Sequence, residues 1–207
     1  MIDITIKPFE FALEDNKAFS YARTKVITRI LNSFSLLLPV GERYFIESIR
    51  AFKPDANEEM QNNIMLFIRQ EAQHGKEHRK LNRMLNIDTD ICDKEALDLL
   101  NKYGIDKDHA LLITVTLERL TGLMGIVLPK TKSFLFPEKS QIARMWIKHG
   151  EEELEHVPVG EKLLHEQCNF SYLYQAKYML IAITELSKIV YKNYKRLKHA
   201  EEGYGLG

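Results

Sequence analysis

The sequence predicts an all-α fold, a four-helix bundle with additional helices, on three observations. Long stretches repeat apolar residues at helical spacing. Only 10 Gly and 6 Pro punctuate 207 residues, too few for the many turns of an all-β protein. The one alternating run, Ile2-Asp3-Ile4-Thr5-Ile6, has no partner strand. With 45% hydrophobic residues a packed core is affordable, and the length reads as a single helical domain over 1–207.

Residues 1–18, with Pro8, read as an irregular arm. A helical pattern begins at Ser20, with Ile27, Ile30, Leu31 and Phe34 on one face. Pro39 and Gly41 interrupt it or mark a new start. Glu42–Phe52 continues with Phe45, Ile46, Ile49 and Phe52 on a stripe, up to the break Lys53-Pro54-Asp55. Asp55 and Glu58 resemble a capping box for a helix running to about Asn86. After a turn at Asn86–Asp93, Asp93 caps a short helix ending near Tyr103-Gly104. Asp106 or Asp108 caps the next, which runs to about Pro129 with Leu111, Leu112, Val115, Leu123 and Ile126 facing the core. Lys130–Phe136 reads as a loop. A helix then starts at Pro137-Glu138 and bends near Pro158. The last helix spans about Phe170–Lys198, and residues 200–207, with three glycines, form a flexible tail.

Charge and cysteine usage exclude several classes. Lys+Arg and Asp+Glu both total 29, so no field invites nucleic acid or an anionic membrane. Cys92 and Cys168 form no CxxC pattern, which fits a reducing cytoplasm. Met1–Glu10 carries Asp3, Lys7 and Glu10 and does not read as a signal peptide. The most apolar long stretch, Tyr178–Tyr191, holds Glu185 and Lys188 and is too short to span a bilayer. No Gly-rich loop follows a strand, and no Ser or Cys nucleophile has a recognisable setting.

The chemistry lies in clustered Glu and His. At about 100° per residue, Glu71, His74 and His78 fall within an arc of roughly 60°. His149, Glu152, Glu153 and His156 share an arc of roughly 100°, with Glu151 and Glu155 pointing elsewhere. Glu71/His74 and Glu153/His156 are both Glu-x-x-His pairs, and residues i and i+3 are neighbours able to hold one ion. Two such helices, each beside a helix carrying one more Glu, make the dinuclear carboxylate arrangement of ferritin-like bundles. Glu42, before the first pair, and Glu118, between the pairs, supply the single carboxylates, although Glu47 is close to Glu42. Chance gives about one Glu-x-x-His in a chain of this composition. The argument therefore rests on the whole set. Glu152 competes with Glu153, and the i,i+3 spacing favours Glu153. His78 and His149 are open as additional ligands, as donors that orient ligating carboxylates, or as core histidines. Gly122 and Gly125, near Glu118, either make room beside the metals or allow close helix packing.

Three segments resemble a known family. They are Pro39-Val40-Gly41-Glu42-Arg43-Tyr44-Phe45, then Gln70-Glu71 with His74, His78 and Asn82, and then Trp146 with His149, Glu152-Glu153 and Glu155-His156. Together they resemble the motifs of the bacterial "predicted metal-dependent hydrolase" group, related to ferritin-like proteins, over about residues 30–165. The resemblance implies a two-metal site with Glu42, Glu71, His74, Glu118, Glu153 and His156 as ligands. Two departures stand out. Val157-Pro158-Val159-Gly160-Glu161 replaces a Lys and a Val-Ala-Phe-Asp run, and Arg119 stands where His is expected.

The leading expectation is a dinuclear oxidase or oxygenase. It would hold two metal ions per chain, Fe first, with Mn or Zn also admitted by Glu/His ligation, and act on a small organic substrate with O2. The alternative is a two-metal hydrolase. A further alternative is a non-catalytic metal-binding helical protein. No nucleic-acid or membrane partner is expected, and a homo-oligomer is left open.

Overall fold

The computed structural model describes Ile2 and residues 4–203. It contains seven α-helices and, among the described residues, no strand. The helices are α1 (Lys25–Ser35), α2 (Leu38–Arg50), α3 (Glu58–Arg83), α4 (Thr89–Tyr103), α5 (Lys107–Leu135), α6 (Gln141–Gln167) and α7 (Tyr172–Gly203). Helices α2, α3, α5 and α6 form the four-helix bundle, with α5 on α6, α2 on α3, α2 on α5 and α3 on α6. The connection from α3 to α5 carries α4. The additional helices pack outside: α4 on α2 and α5, and α7 on α1 and α5.

The caps explain most differences from the sequence reading. Asn57, not Asp55, caps α3 by accepting from Met60 N, because Asp55 is used in a 3-10 turn, Lys53–Asp55. Asp88, not Asp93, caps α4. Asp106 caps α5, and Ser140 rather than Pro137 precedes α6. Helix α5 runs through Pro129 to Leu135, so most of the expected 130–136 loop is helical. Helix α6 likewise continues through Pro158. Pro158 is exposed and Pro129 half-buried, so each helix forgoes one hydrogen bond near its surface without stopping.

Two faces also differ. Leu123 and Ile126 are 53% and 46% exposed, while Leu111, Leu112 and Val115 are in the core. In α1 the buried residues are Thr28, Asn32, Ser33 and Ser35, not the apolar stripe. Asn32 and Ser35 are held by polar partners: Tyr21 Oη donates to Asn32 Oδ1 at 2.9 Å, and Ser35 Oγ donates to Asn82 Oδ1 at 2.6 Å. Helix α5, rather than 178–191, is the stretch long and apolar enough to cross a membrane by length and composition, and 56% of its most apolar window is buried. It is a core helix of this bundle.

Helix α7 reaches Gly203, past the expected end, and residues 204–207 of the expected tail lie outside the described residues. The N-terminal arm is irregular apart from a 3-10 turn at Asp15–Lys17, yet it is tied down. Thr5 N donates to Glu155 (3.0 Å) and Phe9 N to Gln73 (3.1 Å). Phe11 N donates to Glu77 (3.3 Å), and Lys148 Nζ to Pro8 O. The arm therefore crosses α3 and α6.

The core is split. One apolar cluster includes Phe45, Ile49, Phe67, Leu111, Val115 and Val159. The other includes Tyr21, Leu38, Leu81, Leu128 and Trp146. Each bundle helix passes from one cluster to the other. Between Phe67 and Leu81, between Val159 and Trp146, between Val115 and Leu128 and between Leu38 and Phe45, each crosses one polar layer.

Candidate metal centre

That layer holds Glu42, Glu71, His74, His78, Glu118, His149, Glu152, Glu153 and His156, all buried, none more than 3% exposed. Ligand atoms of Glu71, His74, Glu153 and His156 lie within 4.8 Å of one another, and so do those of Glu42, His78 and His149. These are two buried His/Glu clusters able to bind metal ions. Glu118 joins the first: its Oε2 is 3.6 Å from His156 Nδ1. The same nitrogen is 2.7 Å from Glu71 Oε1 and 3.5 Å from Glu153 Oε1. Glu153 also lies 2.8 Å from His149 Nε2, while Glu42 Oε1 is 3.8 Å from that nitrogen. Glu153 thus links the two clusters. Glu47 is exposed and outside them.

The hydrogen bonds around the layer fix which nitrogen each histidine turns inward. Gln70 Nε2 donates to Thr5 O and Glu155 Oε2, both at 3.1 Å. Gln70 Oε1 therefore faces His156 Nε2 (2.9 Å) and accepts its proton. His74 Nε2 is 2.8 Å from Glu152 Oε2, a carboxylate that can only accept. Both imidazoles turn Nδ1 toward carboxylates. On the other side, Asn82 Nδ2 donates to Ser35 O (2.8 Å), which leaves Oδ1 to accept from Ser35 Oγ. With its proton committed, Ser35 Oγ accepts from His78 Nδ1 at 2.9 Å. His78 Nε2 then accepts from His149 Nδ1 at 2.7 Å. His149 is left with the Nε2 lone pair, aimed at Glu153 and Glu42. This chain separates two residues that the sequence left equivalent: His149 faces the clusters, and His78 orients it.

The layer is short of positive charge. Among the described residues every ion-pair partner of Glu42, Glu71, Glu118 and Glu153 is a histidine. Burial, then the neighbouring carboxylates, pushes Glu42 and Glu118 well above the usual carboxylate range. Burial also raises Glu153, but His149, His156 and His74 outweigh it and hold it well below that range. Burial lowers His74 and His156, but their carboxylate neighbours outweigh it, and both end above the ordinary value. His78 and His149 are lowered by burial and then by neighbouring histidines.

The atoms without a hydrogen bond concentrate here. Both carboxylate oxygens of Glu42, Glu71 and Glu118, and Nδ1 of His74 and His156, are buried without a well-aligned hydrogen bond, even where His156 Nδ1 approaches Glu71 Oε1 to 2.7 Å. Buried charges left so are costly unless a cation or protons separate them. These oxygen and imidazole donors fit hard or borderline divalent ions.

A family model described as "predicted metal-dependent hydrolase" matches residues 5–204. The chain belongs to this family. No curated protein and no solved structure gives a match. In this metal-dependent hydrolase family member, the two departures from the motif pattern meet each other. Arg119 Nη2 donates to Glu161 Oε2 at 2.8 Å and to Gln175 Oε1 at 2.9 Å. Arg119 thus turns away from the layer and ties α5 to α6 and α7.

Gly122 and Gly125 serve close packing. A Cβ at Gly125 would lie 2.1 Å from Gly150 O, and one at Gly122 would lie 2.9 Å from Val157. Gly75 is the glycine that touches the site, since a Cβ there would be 2.8 Å from Glu42 Oε2. The sequence offered a signal for it, a lone glycine inside a long helix one residue after His74. Ser35 and Phe9 gave none. Phe9 packs on His74 at 4.6 Å between ring centroids and is brought by the arm.

Proposed function

We propose that the protein is a two-metal hydrolase. One ion would be held by Glu71, His74, Glu118, Glu153 and His156, and the other by Glu42 and His149 beside Glu153. The observation that carries this reading is the buried set of carboxylate and imidazole atoms without a well-aligned hydrogen bond, in a chain whose family is described as metal-dependent hydrolases. When bound, two divalent ions would supply Lewis-acid polarisation of a scissile carbonyl or phosphoryl group and activation of the attacking water.

The residues of the chain supply the rest. Gln70 and Glu152 accept the Nε2–H protons of His156 and His74, which presents Nδ1 as the ligand and holds each ring in place. Asn82, Ser35 and His78 form a relay that accepts the Nδ1–H of His149 and so presents its Nε2 instead. Phe9, Phe67 and Trp146 pack on the imidazoles, exclude water and lower the local dielectric.

A second reading, a ferritin-like di-iron oxidase or oxygenase, draws on the donor set itself. Four carboxylates with imidazoles and no thiolate suit Fe or Mn, and the aromatic enclosure suits oxidative chemistry. In both readings the partner is a small-molecule substrate. The test is turnover of an ester, amide and phosphoester panel by the metal-loaded protein, in air and without oxygen. Equal rates support hydrolysis. Turnover that consumes O2 and stops without it overturns hydrolysis in favour of oxidation.

A further inference from the structure

Across a shared wall from the metal layer lies an apolar cleft of about 820 Å³, within the ~300–1,000 Å³ range of small-molecule sites. Its floor includes Phe45, Trp146 and Ile113, and α7 roofs it through Ile181, Ala182 and Leu186. It is the surface that α1's apolar stripe faces: Ile30, Leu31 and Phe34 all line it. Val26 and Ile30 on α1, and Tyr191 on α7, are 51%, 41% and 62% exposed and mark its mouth. The charged lining residue, Glu185, is paired with Lys188 at 2.9 Å.

The cleft is long. On α5 its lining runs from Ile113 to Leu128, which at 1.5 Å per residue is about 22 Å. An extended chain advances roughly 1.2 Å per bond, so that length takes an acyl chain of up to about nineteen carbons. Its inner end also abuts the metal layer. Trp146 stacks on His149 at 6.3 Å and meets His78 edge-on at 4.7 Å. Gly41, directly before Glu42, lines the wall, and nothing stands closer than Phe45 Cζ, 3.8 Å from where its Cβ would be.

The roof argues for a slender occupant. Helix α7 is anchored at one end by the Arg29–Glu201 pair, two bonds at 2.8 Å, and by Arg196 Nη2 to Glu95 at 2.7 Å. At the other end it is held by Arg119 to Gln175 at 2.9 Å and His109 Nε2 to Tyr174 Oη at 3.1 Å. A partner helix, about 10 Å across, would have to lift α7 off these anchors, whereas a single hydrocarbon chain would not.

We propose that the cleft binds a long unbranched acyl chain. Together with the hydrolase reading, on which this part rests, it makes long-chain acyl esters or amides the substrate class. Two assays separate the two claims. The first is binding of dodecanoic and hexadecanoic acid to metal-loaded and metal-free protein, by displacement of a fluorescent fatty acid. The second is hydrolysis of p-nitrophenyl esters from acetate to dodecanoate.

Binding is expected in both protein forms and should tighten with chain length, by up to about fourfold per methylene. Ala182→Trp fills the cleft from the roof, away from the metal layer. It should weaken hexadecanoic acid binding more than tenfold while leaving metal content and helical circular dichroism unchanged. Fatty acid bound without ester turnover keeps the cleft assignment and sinks the hydrolase reading. No binding, no dependence on chain length, or Ala182→Trp binding as tightly as the parent overturns the proposal. So does a dimer in solution whose interface closes the mouth against fatty acid.

Discussion

The polar layer and the apolar cleft sit on two sides of one wall and are specified in opposite ways. In the layer each polar atom has an assigned partner or a conspicuous lack of one, and Asn82 and Gln70 dictate proton positions several atoms away. In the cleft nothing is directional, and only length, width and apolar lining select an occupant. The difference teaches that the layer tolerates almost no change of residue type, whereas the cleft should tolerate any change that preserves its volume. The layer's helices cross from one apolar cluster to the other around it, so its geometry is set by packing on both sides.

The largest expected effect is on the layer. Glu71→Ala and His156→Ala should each lose most bound metal by elemental analysis while keeping helical circular dichroism. Full occupancy in either would refute the ligand assignment. Next come the orienting groups. Asn82→Ala and Gln70→Leu should keep the metal sites but weaken affinity 10- to 100-fold, the usual cost of removing a group that fixes a ligating imidazole. Metal titration checks this, and unchanged affinity in Asn82→Ala would break the proton chain derived for His149.

Gly75→Ala sharpens the comparison within the layer. Its methyl would crowd Glu42 Oε2, so metal content should fall from two ions toward one, with the cluster around His156 retained. Alanine favours the helix by roughly 1 kcal/mol relative to glycine, so loss of fold is not the expected route. Two ions retained would remove Glu42 from the site.

The smallest effect is pH dependence. Burial and carboxylate neighbours raise Glu42 and Glu118, and His74 and His156 end raised as well. A folded state that holds protons more tightly than the unfolded chain loses stability as pH rises past the unfolded values. Above the ordinary histidine value of about 6.5, the lowered His78 and His149 are neutral in both states and no longer oppose this trend. The metal-free melting temperature should therefore fall between about pH 6.5 and 8.5. Stabilisation by metal should grow over the same range, because ions displace those protons. A metal-free melting temperature that rises with pH would contradict the charge balance described for the layer.

Much of the layer was legible because its signals are local. Glu71/His74 and Glu153/His156 share helix faces by spacing alone, and Glu118 sits among small and apolar neighbours where an unpartnered acid is conspicuous. The all-α bundle followed from apolar periodicity and sparse Gly and Pro. The rest depends on tertiary contacts that leave no local trace. Ser35 meets His78 from 43 residues away, and Phe9 arrives on an arm without periodicity. Helix α1 misled because its apolar stripe lines a cleft while its polar face is buried through hydrogen bonds. Pro129 and Pro158 misled because a proline near a helix surface costs one hydrogen bond without ending the helix. Roles stayed ambiguous for His78 and His149 because each shares a helix face with a Glu-x-x-His pair, and only the contacts of Asn82 and Ser35 distinguish them.

The central claim is that the layer binds two metal ions, and metal content per chain after reconstitution tests it most directly. Elemental analysis of protein purified without added metal, then loaded separately with Fe, Mn and Zn and desalted, should give two ions per chain for at least one metal. No retained metal under any loading would mean that the buried carboxylates are held by protons alone, and the enzyme reading would fall with them.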